Sequence, residues 1–186
     1  KYSSDEEFSK YEAMLDDVVD LYINDELLEK KEKVNVIFAA APSQADFLDS
    51  LTREEGIDWK RVNVFHMDEY IGLDKNAPQG FGNFLNEHIF GLVPFKSVNY
   101  IDITTTDPEK EADRYGKLLL ENPTDIVVLG IGENGHIAFN EPFTSLTSRT
   151  GVRALTEDTL IVNSRFFDND VNKVPKTALS VGVGTV

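Results

Sequence analysis

Apolar residues recur along this chain at two spacings, and the alternation between them sketches an architecture. Phe8, Tyr11, Met14, Leu15, Val18, Val19 and Tyr22 stand three and four residues apart, the repeat of a helix that buries one stripe. Ser4 precedes them as an N-cap with Glu7 three residues on, a capping-box pattern. At 34–41 the spacing changes to a continuous apolar run, VNVIFAAA, which predicts a strand buried on both faces. SQADFLDSLTREEG predicts a helix closing at Gly56, and Val62–His66 a second strand running straight into Asp68 and Glu69. A stretch rich in Gly, Pro and Asn follows, then a helix around NFLNEHIFGL and a short strand in SVNYID. Asp107 caps and Pro108 opens a helix over DPEKEADRYGKLLLEN; Pro suits the first helical position because its missing N–H would have no partner there. TDIVVLGIG is the clearest buried strand of the chain. Strands alternating with helices imply an α/β domain whose mostly parallel sheet is covered on both faces. No repeat, low-complexity segment or interdomain linker interrupts it.

An open parallel sheet binds ligands beyond the carboxyl ends of its strands. Three segments fall there: AAAPSQ after the first strand, HMDEY after the second, and GIGENGHIAFNEP after DIVVL. Taken singly, each has an ordinary reading. A lone His such as His136 is more often structural than catalytic, and Asp68 and Glu69 read equally well as turn or N-cap residues. GIGENG spaces its glycines one residue short of a dinucleotide fingerprint and runs into His136 rather than into a helix. SRFFDNDVNKVP reads as a loop or, around Arg165, as an anion clamp. Their convergence on one sheet edge carries more than any one of them.

Composition narrows the function classes. With 186 residues, 41% of them hydrophobic, the chain is long enough for one domain with a core. Its 33 acidic residues against 18 basic give a formal charge of -15, a field that repels nucleic acid and anionic lipid. Neither is an expected partner, and an anionic substrate would need local cations or backbone N–H groups to hold it. No apolar run approaches the roughly 20 residues of a membrane span, and KYSSDEEF lacks a signal-peptide pattern. The absence of Cys removes disulfides, thiol nucleophiles and Cys-ligated zinc.

FHMDEYIGL, GIGENGHIAFNEP, SLTSRT and SRFFDNDVNKVPKTALSVGVGT together resemble the glucosamine-6-phosphate deaminase (isomerase) family, of the superfamily that also holds galactosamine-6-phosphate isomerases and 6-phosphogluconolactonases. The match is close from about Val62 onward and looser before it. The lactonases would be expected to carry an Arg after the DE pair and a different stretch after GH. The resemblance implies a three-layer α/β/α fold with a Rossmann-like sheet, one domain over 1–186 that continues past residue 186, a cytoplasmic location, and no cofactor or metal. It implies a small sugar phosphate as partner and leaves homo-oligomerisation open. The implied reaction opens an amino-sugar phosphate, isomerises aldose to ketose and releases ammonia, giving fructose 6-phosphate from glucosamine 6-phosphate.

Carried over by motif, Asp68 is the base at C2, His136 assists ring opening, and Glu141 orients or charges that His. Arg165 matches the phosphate-binding Arg. Asn134 stands where some members have Asp; Ser43, Gln44, Glu69 and Gly135 complete the expected substrate- and phosphate-contacting set. These roles suit the residue types. Proton abstraction needs a carboxylate within about 3 Å of the carbon-bound hydrogen, imidazole gives and takes protons near neutrality, a neighbouring carboxylate fixes its tautomer, and a planar guanidinium fits phosphate. Three departures are visible. Asn134 carries no charge, AAAPSQ replaces a Gly- and Thr-rich phosphate loop, and the family's C-terminal phosphate Lys is not in the sequence. The altered loop leaves room for a galactosamine preference. Gly151 replaces a basic residue of the family's allosteric site, although Arg149 and Arg153 remain, so that activation is not expected. Lactonase-type hydrolysis and sugar-phosphate binding without turnover stand as alternatives.

Overall fold

A computed structural model describes residue 23 and residues 27–186; the helix expected from Ser4 to Tyr22 lies outside the described residues. Its centre is a four-stranded parallel sheet of β1 (Val34–Phe38), β2 (Val62–His66), β4 (Ser97–Asn99) and β5 (Ile126–Val128), ordered β4-β2-β1-β5. Alternation along the strands divides the core in two. Val34, Val36 and Phe38 of β1 and Val62 and Val64 of β2 face α1 (Ala45–Leu51) and α2 (Phe81–Leu85), the latter extended by a π-turn over Asn86–Phe90. Ile37 and Phe65 face the opposite way, toward α3 (Pro108–Glu121), through Ala112, Tyr115 and Leu119. Burial on both faces is why these strands read as continuous apolar runs, and the parallel α/β architecture expected from the sequence is the one found.

Polar residues fix the register. Asn35 pairs with Asn63 and Asn63 with Ser97 across the sheet. The Asn63 amide donates to Asn35 Oδ1 at 2.9 Å, the Ser97 hydroxyl to Asn63 Oδ1 at 2.8 Å, and the Asn35 amide to the Pro123 carbonyl at 2.8 Å. A one-residue slip would turn these buried amides into the apolar face. At the other end of the strands, the hydroxyl of fully buried Tyr115 donates to the carbonyls of His66 at 2.7 Å and Asn99 at 3.0 Å, tying α3 to the carboxyl ends of β2 and β4.

Three expectations shift. The helix predicted to close at Gly56 ends at Leu51, and Gly56 (φ 111°) lies in a separate turn. The DIVVL strand is three residues long and half-buried, because β5 stands at an edge of the described sheet. Asp68–Tyr70 is neither turn nor cap. It forms β3, part of a second, antiparallel sheet ordered β3-β7-β6 with β7 (Thr177–Ser180) and β6 (Gly151–Ala154). Among the described residues no helix is long and apolar enough to cross a membrane. Tyr115→Phe should keep the packing and remove the donor shared by two inward carbonyls. We expect a loss of about 1–3 kcal/mol, read from denaturant unfolding with the slope unchanged.

Candidate active site

The chain leaves the parallel sheet at Met67. The Met67 N–H donates to the Phe38 carbonyl of β1 at 3.0 Å, and the Met67 carbonyl accepts from Val181 N–H, just past β7, at 3.0 Å. The next residue, Asp68, enters a cleft of about 230 Å³ whose wall also includes Ser43, Gly132, His136, Asn163 and Arg165. These come from four places: the exit of β1, the 130–141 loop after β5, α4 (Glu157–Asn163), and the 3-10 turn Ser164–Phe166 that follows it. The three sheet-edge segments singled out in the sequence therefore meet, and Arg165 joins them.

Asp68 is buried. Desolvation, and then the charge of Glu69, push its carboxyl up to about 8. Glu69 takes another direction. Its carboxylate accepts from Tyr70 N–H at 2.9 Å, Phe81 N–H at 3.1 Å and Gly82 N–H at 2.8 Å, and lies 3.6 Å from His66 Nε2. Burial raises its carboxyl while those three N–H groups pull it down. Burial likewise pushes the His66 imidazole down to about 3. Glu69 thus fastens the start of α2 to β3 and lines a different cavity, with His66 and Tyr100. Glu69, expected among the substrate-contacting residues, is placed outside the wall of the Asp68 cleft.

The 130–141 loop is wound tightly around His136. Gly132 N–H donates to the His136 carbonyl, and Gly135 N–H to the Gly132 carbonyl, both at 2.9 Å. Gly135 sits at φ 87°, which glycine adopts without steric cost. A Cβ at Gly132 would stand 2.3 Å from the His136 ring, so only glycine lets the imidazole lie where it does. Asn134 Oδ1 is 2.6 Å from His136 Nδ1, and the Asn134 amide donates to Glu141 Oε2 at 2.8 Å. Glu141 Oε2 is itself 3.6 Å from His136 Nδ1. His136 and Glu141, the pair expected to act together, are thus joined through Asn134. Glu141 returns to the ring through a turn at Ala138 (φ 51°); Phe139 is buried and Ile137 half-buried.

Arg165 is half-exposed, lies over the Phe166 ring at 4.9 Å, and reaches Glu133 Oε1 at 3.4 Å. Ser43 lines the cleft. Gln44 does not. It closes the 3-10 turn Pro42–Gln44 with its amide near Gly130, and its buried Oε1 has no hydrogen-bond partner. Sequence reasoning passed over Thr156, Thr159, Tyr70 and Asn163. The Thr156 N–H donates to Glu141 Oε1 at 3.1 Å, Asn163 lines the cleft, and burial, then the charges of Asp68 and Glu69, push the Tyr70 phenol up. Nothing in the local sequence marks these residues, since their partners lie far along the chain. Among the described residues no group of three or more His, Asp or Glu is placed to hold a metal ion.

A parallel α/β sheet whose carboxyl edge gathers a buried carboxyl, an imidazole–amide–carboxylate group and a guanidinium is equipped for proton transfer on an anionic ligand. Residues 10–142 match the glucosamine-6-phosphate isomerases/6-phosphogluconolactonase family, and the chain belongs to it, as its motifs indicated. It is 45% identical over 142 residues to a glucosamine-6-phosphate deaminase of Proteus mirabilis, covering 75% of this chain and 53% of that protein. It is 48% identical over 133 residues to the Pasteurella multocida enzyme of the same name, covering 70% and 50%. The chain spans about half the length of the curated relatives it matches. In structure it is similar to a monomeric glucosamine-6-phosphate deaminase, with a TM-score of 0.82 at 30% identity over 94% of this chain and 72% of that one. It shares its fold with the 6-phosphogluconolactonase of Thermotoga maritima, with a TM-score of 0.71 at 19% identity over 92% and 73% of the two chains.

The raised Asp68 carboxyl has a stability consequence. The unfolded chain ionises it near 3.8 and the folded one near 8, so its contribution to stability is fully present below the lower value and is lost as pH rises through the upper. Asp68→Asn cannot ionise. It should match the unaltered protein near pH 3.5 and exceed it by more than about 1.4 kcal/mol at pH 8.5, the worth of one pKa unit. Chemical unfolding at the two pH values checks this.

Proposed function

We propose that this chain is the catalytic region of an amino-sugar phosphate isomerase/deaminase that converts glucosamine 6-phosphate and water to fructose 6-phosphate and ammonia without a cofactor. The observation that carries the reading is the meeting of Asp68, His136 and Arg165 in one cleft. In this reading Arg165 and Ser43 hold the phosphate, with Arg165 exchanging Glu133 for the incoming anion. His136, backed by Asn134 and Glu141, moves the proton between ring oxygen and anomeric hydroxyl as the sugar opens. Asp68 then takes the C2 proton. Burial makes Asp68 a strong base once ionised, and a substrate ammonium on C2 beside it favours the ionised form. The deaminase names of the relatives at 44–48% identity support the same reaction over lactone hydrolysis.

The deciding experiment is a coupled assay of the chain with glucosamine 6-phosphate, reading ammonia and fructose 6-phosphate together. Equimolar release is expected. Hydrolysis of 6-phosphogluconolactone without ammonia release, or binding without turnover, would overturn the reading. Asp68→Asn should lose about 10²–10⁴-fold in rate, the usual contribution of a positioned base; more than a tenth of the rate remaining removes Asp68 from that role. Arg165→Ala should weaken sugar-phosphate binding by about 1.5–3 kcal/mol and leave the unphosphorylated sugar almost unaffected, and calorimetry on both ligands separates the two.

His136→Gln and Glu141→Gln should each slow the closed-ring substrate. Their double mutant should lose much less than the product of the single losses, because groups acting as a unit are non-additive. Equal damage on an open-chain analogue would place the pair in scaffolding.

A further inference from the structure

Glu141 is buried, and its two carboxylate oxygens have different partners. Oε2 accepts from the Asn134 amide at 2.8 Å and lies 3.6 Å from His136 Nδ1. Oε1 accepts from the Thr156 N–H at 3.1 Å. The last torsion of a glutamate is broad, so a carboxylate held at one oxygen keeps a freedom that a donor on the other removes. Thr156 is the N-cap of α4, with φ -71° and ψ 160°. Its carbonyl accepts the first helical bond, from the Leu160 N–H at 3.0 Å. Its own N–H has no role inside the helix and is spent on Glu141. The Asn134 amide reaches the same helix a turn later, at Thr159 Oγ1, 3.4 Å away. The last residue of α4, Asn163, leads directly into the turn that carries Arg165.

Resting on the deaminase reading above, we propose that Thr156 is a positioning residue: its backbone N–H fixes the Glu141 carboxylate at the angle that serves Asn134 and His136, and joins that group to the helix that leads to Arg165. Of the charged groups around the carboxylate, His136 stands 3.6 Å away on the 130–141 loop, Arg153 of β6 reaches the neighbouring Asn140, and Glu133, Glu157 and Asp158 are exposed. The effect of Thr156 on the reaction runs through Glu141.

The test separates the N–H from the side chain. Thr156→Pro removes the N–H, and φ -71° lies within the range of proline. Leu155 before it continues the strand, its N–H donating to the Lys176 carbonyl at 3.0 Å, and extended backbone is what a residue preceding proline requires. Thr156→Ala removes the side-chain cap and keeps the N–H; Thr156→Ser keeps both. In protein carrying ¹³C at the glutamate carboxyls, with Glu141→Gln assigning the signal, the Glu141 titration should move up by about one pH unit in the proline variant, the scale of one hydrogen bond to a charged group. It should stay in place in the alanine and serine variants. The acidic limb of kcat/KM for glucosamine 6-phosphate should move with it. A carboxyl titration unmoved by proline, or moved as far by alanine, would overturn the assignment, even if activity fell. If the proline variant does not fold, the unaltered protein decides: the Thr156 amide resonance should follow the ionisation of Glu141 and lose that response in Glu141→Gln, and an amide that ignores the titration overturns the assignment as well. An unaltered chain that releases no ammonia would sink the deaminase reading and leave the two titrations to decide on Thr156.

Discussion

Both backbone groups of Met67 are spoken for by different sheets, the N–H by Phe38 of β1 and the carbonyl by Val181 beside β7. That double engagement forces the chain to pass from the parallel sheet into the antiparallel one within a single residue. Asp68 is thereby delivered into the cleft and Glu69 away from it. The same junction docks the far side of the site: Phe139 N–H donates to the Ser180 hydroxyl at 3.0 Å, and the Asn140 amide to the Val181 carbonyl at 2.8 Å. Asp68 and the imidazole loop are thus referenced to one pair of residues at the end of β7, which suits chemistry that tolerates little displacement.

Neighbouring carboxyls in this molecule are set to different states by their surroundings. Asp68 has burial and a like charge around it and is pushed up. Glu141 is also buried but meets the Asn134 amide and the Thr156 N–H, and is held down. Environments that separate the affinities of nearby acids for protons are what acid–base work requires. The replacement of a possible third carboxylate by Asn134 fits this division. Its amide donates to Glu141 while its oxygen meets the imidazole, so one uncharged side chain orients both partners without adding a negative charge to an acidic protein.

In the proposed reading, an acidic surface and an anionic substrate are reconciled locally. The Arg165–Glu133 pair is exposed on both sides, and such pairs contribute little to stability. Exchanging Glu133 for phosphate therefore costs little, while the guanidinium stays stacked on Phe166. Proline in the Pro42–Gln44 turn removes one backbone donor from the first-strand exit, which in the proposed reading places more of the anion recognition on Ser43 and Arg165.

The sequence by itself determined the parallel α/β core and the edge where the chemistry gathers, because apolar runs bounded by caps and glycines are local signals. It also marked Asp68, His136, Glu141 and Arg165 as candidates, since each sits in a motif whose residue types have few other uses together. It failed where a residue's partner is distant in the chain. Glu69 beside Asp68 looked like a second site carboxylate, and only folding brought Phe81 and Gly82 N–H groups to it. Thr159 looked like an ordinary helical residue until α4 packed against the 130–141 loop. The antiparallel strand at Asp68–Tyr70 is likewise a tertiary outcome, for three residues take their strand character from the neighbours they pair with, here Ala178 to Ser180, more than from their own side chains.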